Sequence, residues 1–159
     1  MHFHKEISFT GQLDEVAEML ASEAFRREVA QRAGAHEIEV SRTETSEGVV
    51  STVDSRQPAT GFPSIAQKFL GSELHTRQVE TWTSHDHADL EVTVPGTPAH
   101  VRGTVRLEQR GEETVQIVDA EVKVRIPLLG GQVEPLIGRV LGYVLKLQAV
   151  VGAEHLAGK

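Results

Sequence analysis

The sequence predicts an α+β fold in which a curved antiparallel sheet of six or seven strands wraps around one long C-terminal helix. Residues 114–126 alternate strictly between apolar and polar side chains, as a strand with one buried face does. After Pro127 and a pair of glycines the period becomes helical, which predicts a helix over about 131–153. One stripe of it holds Val133, Leu136, Ile137, Val140, Leu141, Val144, Leu145, Gln148 and Val151. A helix laid across a sheet in this way encloses space, which indicates a container for an apolar ligand.

The other elements follow in order along the chain. Residues 3–9 predict a first strand, and residues 14–32 predict two helical segments, the second of them capped by Ser22. An insertion with a short helical stretch at 64–70 interrupts a series of strands at 36–44, 49–55, 73–83, 88–94 and 100–109. Because the helices bracket the strands instead of alternating with them, the sheet is predicted to be antiparallel.

Composition limits the classes of protein that the chain can belong to. Its 159 residues fit a single domain, 1–159, and its net charge of −7 argues against a partner held by phosphate contacts, such as nucleic acid. The absence of cysteine excludes disulfides and fits a reducing cytoplasm. Residues 1–6 do not resemble a signal peptide, and no stretch approaches the ~20 apolar residues of a membrane span. We therefore expect a soluble, cytoplasmic protein.

Several segments carry a resemblance to a known family: Glu80-Thr81-Trp82, Val94-Pro95-Gly96-Thr97-Pro98, Arg102-Gly103-Thr104 and, above all, residues 122–134 with their Pro-Leu-Leu-Gly-Gly-Gln-Val-Glu junction. With the element order, they resemble an actinobacterial family of unknown function, number 2505. That family belongs to the START-like superfamily, which includes polyketide cyclases and birch-pollen-type allergens. The resemblance covers nearly the whole chain and implies the helix-grip fold. It implies no catalytic motif, because this superfamily hosts lipid carriers, hormone binders and enzymes.

Strand alternation predicts the lining of the cavity. The inward positions of the last three strands include Leu90, Val92, Val101, Gly103, Val105, Ala120 and Val122, and the helix adds Val140 and Val144, which we expect on its buried stripe. None of these side chains can act as acid, base or nucleophile. Gly103 and Ala120 are small, so they either leave room for a ligand or admit side chains of the helix. Gly103 is also the expected point of sheet curvature.

The strand at 73–83 has two faces, and the sequence leaves open which of them lies inward. One face carries His75, Arg77, Val79 and Thr81, which would place a cation, an imidazole and a hydroxyl in the cavity, as a carboxylate or polyketide binder requires. The other carries Trp82 with Gln78 and Glu80, which would make an aromatic-lined pocket. His75 and Arg77 could equally lie on a solvated rim.

The insertion at 62–70 could cover the pocket. Its apolar residues Phe62, Ile65, Phe69 and Leu70 lie between Gly61 and Gly71, and two flanking glycines would allow a hinged lid.

Eight histidines raise the possibility of a metal site. His2 and His4 alternate on the first strand, so both imidazoles share a face, while His85 and His87 lie at a hairpin tip. Zinc needs three or four converging ligands, and neither pair supplies them. We expect no metal and no other cofactor.

Three functions fit these observations. The first is the binding of a hydrophobic small molecule, such as a lipid or polyketide, between the sheet and the C-terminal helix. The second is an enzyme of cyclase or dehydratase type that uses the polar residues of the strand at 73–83, with His75 and Arg77 converging in the pocket. The third is a structural domain whose core is filled and holds no ligand.

Overall fold

The computed structural model describes residues 1–59 and 62–158. Within them one antiparallel sheet has the strand order β1-β7-β6-β5-β4-β3-β2. Its seven strands are β1 (His2–Thr10), β2 (His36–Thr45), β3 (Gly48–Pro58), β4 (Glu73–Ser84), β5 (His87–Thr93), β6 (Ala99–Arg110) and β7 (Glu113–Val124). The predicted α+β architecture is confirmed.

Four helices complete the described part of the chain: α1 (Leu13–Ala21), α2 (Glu23–Arg32), α3 (Ser64–Leu70) and α4 (Gly130–Ala157). The predicted cap of α2 is present, since the backbone N–H of Phe25 donates to Oγ of Ser22 at 3.3 Å. We expected α4 to span 131–153, but it runs four residues further. The extra turn is held because Leu156 packs against the core and Nε2 of His155 lies 3.1 Å from Oε1 of Glu28 on α2.

α4 is long and apolar. Its mean hydropathy reaches 1.4 over eighteen residues, so by length and composition alone it could cross a membrane. The core helix of a globular protein passes the same test, and here α4 contacts β1, β7 and α2.

The best-packed part of the core lies where α1 and α2 meet the C-terminal half of α4. Phe9, Val16, Leu20, Phe25 and Val151 are at most 1% exposed. A Cβ on Gly152 would lie only 2.4 Å from Cε1 of Phe9, so α4 approaches β1 closely at this point. The two short helices thus close one end of the sheet.

Gly103 allows β6 to approach β7 closely at its middle. A Cβ at this position would lie 2.0 Å from the carbonyl oxygen of Asp119 and 2.5 Å from Cα of Ala120, and no side chain can stand that near to backbone. The glycine is thus required by strand packing in the interior of the sheet, where a bend was expected.

The start of α4 is tied to the end of β7. The backbone N–H of Val124 donates to Oε2 of Glu134 at 3.0 Å, across the Pro127-Leu128-Leu129 turn. This hydrogen bond favours the ionised carboxylate and holds the pKa of Glu134 below its ordinary value. The contact fixes where α4 starts across the sheet.

Candidate functional site

A cavity of about 90 Å³ lies between the sheet and the middle of α4. Its apolar wall comes from β1, β3, β5, β6 and β7 and from α4, with α2 at one side. Six of the predicted lining residues lie on this wall: Leu90, Val92, Val105, Ala120, Val140 and Val144. Val140 and Val144 are only half-buried, because they face open space where a filled core would put side chains. Their role in binding a ligand stays a prediction.

Other predicted lining residues lie elsewhere. Val122 is fully buried, and Val101 borders only a separate void of about 30 Å³ beside the cavity. Gly103 does not line the cavity, because its missing side chain makes room for the backbone of β7. The idea that Gly103 leaves volume for a ligand was therefore wrong, whereas Ala120 does border the open space.

The inward face of β4 is the one that carries Trp82. Thr76, Gln78 and Glu80 line the cavity, and Trp82 is buried beside them. The opposite face carries His75, Arg77, Val79 and Thr81, because side chains along a strand alternate. Val79 and Thr81 border a shallow depression on the outer surface. Placing these four residues in the cavity was therefore wrong.

His75 and Arg77 are instead held by a carboxylate on the outer face. Nε2 of His75 lies 2.8 Å from Oδ1 of Asp54, and Nη1 of Arg77 lies 3.6 Å from Oδ2 of the same residue. The side chain of Arg77 is 53% exposed. The cyclase or dehydratase alternative required these two groups to converge inside the pocket, and their positions remove its geometric basis.

A buried ion pair forms the polar side of the cavity. Nη2 of Arg26 donates to Oε1 of Glu80 at 2.6 Å, and both side chains are at most 4% exposed. Nε of Arg26 donates to the carbonyl oxygen of Leu20, while Nε1 of Trp82 donates to Oε1 of Glu80 at 3.1 Å. Burial of a charge is tolerated when it is paired and hydrogen-bonded in this way.

Three glutamines extend the ion pair along the cavity wall. Nε2 of Gln78 donates to Oε2 of Glu80 at 2.7 Å. On the other side, Nη1 of Arg26 donates to Oε1 of Gln148 at 3.4 Å, and Nε2 of Gln148 donates to Oε1 of Gln116 at 2.7 Å. We call these six residues, Arg26, Gln78, Glu80, Trp82, Gln116 and Gln148, the buried polar cluster.

The cluster is not apparent as a unit from the amino-acid sequence, although the sequence contains signals of it. Arg26 lies on the buried stripe of α2 with Phe25 and Val29, a position where arginine needs a partner. Gln148 interrupts the apolar stripe of α4, and Gln116 continues the inward period of β7 from Val118. A polar residue on each of three buried faces indicates a shared network, but only the tertiary fold shows that the three meet.

A wider groove of about 600 Å³ opens next to the cavity and shares Gln57 and Val140 with it. Phe62, Pro63 and Tyr143 also border the groove. Of the predicted lid residues, Phe62 borders the groove, whereas Phe69 is partly buried against the core and Leu70 is buried within it. Gly61, one of the expected hinges, lies outside the described residues, and hinged motion stays a prediction.

His2 and His4 share the outer face of β1, as the alternation predicts. Nδ1 of His4 lies 2.6 Å from Oδ1 of Asp119, and Nε2 of His2 lies 3.5 Å from the same atom. The carboxylate of Asp119 raises the pKa of His4, and His4 in turn lowers the pKa of Asp119. The spacing of these three groups could hold an ion, but they are at least partly exposed and already bind each other. We base no function on them.

Comparison with known protein families gives one match over nearly the whole chain. Residues 5–156 match the model of a family described as a protein of unknown function, DUF2505. This is the family that the sequence motifs resembled. No functionally curated protein matches the chain at a significant level.

Solved structures with the same fold share little sequence with this chain. A protein from Thermus thermophilus is 13% identical with a TM-score of 0.69, and the match covers 99% of this chain and 98% of that one. A START superfamily protein from Mycobacterium smegmatis is 14% identical, with a TM-score of 0.65 and 98% of both chains covered. A point mutant of norcoclaurine synthase from Thalictrum flavum is 15% identical, with a TM-score of 0.66 and coverage of 98% and 95%. These likenesses establish the START-like helix-grip fold.

Proposed function

We propose that this chain, which belongs to the DUF2505 family of proteins of unknown function, binds a hydrophobic small molecule between its sheet and α4. The observation that carries the proposal is the cavity itself. Apolar side chains of five strands, of α2 and of α4 border it, yet they leave about 90 Å³ empty. A well-packed interior contains few voids larger than a water molecule, so an apolar space of this size favours a binding role over a filled structural core.

The size of the cavity limits how a ligand would sit. Pockets for small molecules usually have about 300–1,000 Å³, so the cavity alone holds only a fragment the size of one ring. The neighbouring groove of about 600 Å³ meets it at Gln57 and Val140. A larger ligand would place one end in the cavity and extend along the groove past Phe62 and Tyr143.

The fold is compatible with this role. The solved START-like relatives support a globular, soluble protein made of one domain, 1–159, and a cytoplasmic location stays the prediction from the lack of cysteine. A lipid or a polyketide-like molecule is the expected class of ligand, because the wall is largely apolar and the two charged groups on it neutralise each other.

Binding of a neutral fluorescent probe tests the proposal. N-phenyl-1-naphthylamine should bind saturably, with one site per chain, and should be displaced by hydrophobic ligands. Val144→Phe should weaken probe binding at least tenfold, because the larger side chain fills the space that Val144 faces.

The matched control is Val150→Phe, the same change on the same helix at a position that is 52% exposed. It should bind the probe as the wild type does, and Arg77→Ala on the outer face should do the same. Equal binding by the wild type and the Val144→Phe variant would show that the probe binds elsewhere and would contradict the proposal.

A further inference from the structure

The cavity wall holds a second group of polar residues beside the buried polar cluster. Ser55 and Gln57 of β3 and Thr76 of β4 line the cavity, and none of them carries a charge. Thr76 precedes Gln78 of the cluster by two residues on the same face of β4. All lining residues of β5 and β6, by contrast, are apolar. The uncharged polar side chains thus gather on two neighbouring strands, β3 and β4.

The strand register places the hydroxyl groups of Ser55 and Thr76 close to each other. The two residues are directly opposite in the pairing of β3 with β4, and both line the cavity. Side chains at directly opposite positions have Cβ atoms about 4.5–5.5 Å apart. A hydrogen bond between two oxygens spans about 2.7 Å, so a single ligand oxygen is able to reach both hydroxyls.

The hydroxyl of Ser55 faces the cavity without a partner from the described residues. Ser55 is only 5% exposed. In the described part of the chain, no fully buried side-chain nitrogen or oxygen lacks a hydrogen-bond partner, so the unpartnered Oγ of Ser55 must touch open space. The open space that Ser55 borders is the cavity. Because a hydroxyl in a largely apolar site is costly unless it is hydrogen-bonded, this position favours a ligand that supplies the missing partner.

Charged groups fit this position poorly. Arg26 and Glu80 are the only charged side chains among the described residues of the lining, and they pair with each other at 2.6 Å. A carboxylate or an ammonium group beside Ser55 would therefore have no counter-ion, which is unfavourable in a buried site. An uncharged oxygen needs none. A carbonyl oxygen can accept from both hydroxyls, and a ligand hydroxyl can accept from one and donate to the other.

We propose that Ser55 and Thr76 form a subsite for an uncharged oxygen of the ligand, in a carbonyl or a hydroxyl group. The subsite lies beside the opening into the groove, because Gln57, two residues after Ser55 on the same strand face, borders both spaces. The apolar body of the ligand would then lie against Leu90 and Val105. This inference rests on the proposed function, because it describes the polar group of the same ligand.

Four ligands that share a methyl-substituted ring test the chemistry of the subsite: p-cresol, 4-methylacetophenone, p-xylene and 4-methylbenzoate. Their affinities can be measured by titration of ¹³C-labelled methyl groups in NMR spectra. The first two carry an uncharged oxygen, p-xylene carries none, and 4-methylbenzoate carries a charge. We expect 4-methylbenzoate to bind most weakly, because its carboxylate finds no counter-ion in the cavity.

Two variants assign the oxygen to its partners. Ser55→Ala should weaken the binding of p-cresol and of 4-methylacetophenone by about three- to tenfold, the usual contribution of one hydrogen bond. It should leave the affinity for p-xylene unchanged, because p-xylene makes no hydrogen bond. Thr76→Val, which replaces the hydroxyl by a methyl group, should have the same effects. If Ser55→Ala does not fold, Thr76→Val still decides the question, because valine favours a strand at this half-buried position.

Each variant has a matched control in the same sheet. Ser51→Ala is the same change at a buried position on the same face of β3, four residues earlier, and Ser51 does not line the cavity. Thr81→Val is the same change as Thr76→Val on the outer face of β4. Both controls should leave all four affinities unchanged.

The outcomes distinguish the inference from the function on which it rests. If p-xylene binds but Ser55→Ala and Thr76→Val weaken all ligands equally or none of them, the inference is overturned and apolar binding stays intact. Tightest binding of 4-methylbenzoate by the wild type would also overturn it. If none of the four ligands shifts the methyl signals of Val144 and Ala120, both the inference and the proposed function fail. Losses confined to the two ligands with an uncharged oxygen would support both.

Discussion

The middle and the C-terminal half of α4 present the same apolar stripe to the sheet, but they meet different surroundings. Val151 is fully buried, and Gly152 lies against the ring of Phe9. Two to three turns earlier, Val140 and Val144 remain half-buried and face the cavity. The two parts of α4 differ in the side chains that face them. The ring of Phe9 fills the space beside Gly152, whereas smaller side chains such as Ala120 leave space open beside Val140 and Val144. Helical periodicity alone therefore does not distinguish a packed core from a binding site.

The largest expected effect concerns the ion pair on the polar side of the cavity. Glu80→Leu should destabilise the protein by about 3–5 kcal/mol, because it leaves Arg26 buried without its charged partner. Denaturant unfolding measures the loss. The control is Glu91→Leu, whose carboxylate meets Arg102 at 3.5 Å with both side chains exposed, and which should cost less than about 1 kcal/mol. Equal losses would mean that water reaches the Arg26–Glu80 pair in solution.

A matched pair of truncations compares how tightly Val151 and Val144 are packed. Val151→Ala should cost about 2 kcal/mol, because it removes two methyl groups from a fully packed site and leaves a void. Val144→Ala should cost less than about 1 kcal/mol, because its methyl groups already face open space. Both can be compared by urea unfolding under identical conditions. The same loss at both positions would show that the middle of the helix is packed.

Alanine substitutions at two glycines of α4 should change the stability of the protein in opposite directions. Gly152→Ala should destabilise by about 1–3 kcal/mol, because the new Cβ would lie 2.4 Å from the ring of Phe9. Gly142→Ala should stabilise by up to about 1 kcal/mol, because nothing lies within 4 Å of its Cβ position and alanine favours the helix. Melting temperatures should therefore move in opposite directions. A lower melting temperature for Gly142→Ala would contradict the absence of neighbours around this position.

The smallest effect is expected at the start of α4 and depends on pH. The hydrogen bond from the N–H of Val124 lowers the pKa of folded Glu134 relative to the unfolded chain. The charged carboxylate therefore adds stability above the unfolded pKa of about 4.3, and this contribution is lost as the pH falls through the lower folded value. Glu134→Gln should cost about 1 kcal/mol at pH 7 and progressively less below pH ~4. A cost that does not change with pH would exclude the charge as its source.

The fold could be predicted from sequence because its signals are local and repeat along the chain. Strict alternation over residues 114–126 defines β7, and the helical stripe that follows defines α4. Both elements can be predicted without knowing which other elements they pack against. The end of α4 was missed because the contact between His155 and Glu28 joins residues far apart in sequence.

The polar side of the site could not be predicted in the same way. Both faces of β4 carry polar residues, so alternation does not show which face lies inward. The inward face is set by Arg26, which comes from α2 and pairs with Glu80 at 2.6 Å. On the other face, Asp54 of β3 contacts His75. Each partner lies more than twenty residues away, and single-sequence patterns do not report such pairs. The apolar wall, by contrast, was found wherever a strand had one clearly apolar face.

Methyl-resolved NMR during a titration with p-cresol, a ligand the size of one ring, tests directly whether the middle of α4 covers a binding cavity, because each methyl group reports its own surroundings. Saturable shifts are expected for Val140, Val144 and Ala120, which border the cavity, and nearly unchanged signals for Val133 and Val151, which are packed. Shifts of equal size at Val144 and Val151, or no saturable shift at Val144, would contradict a binding cavity under the middle of α4.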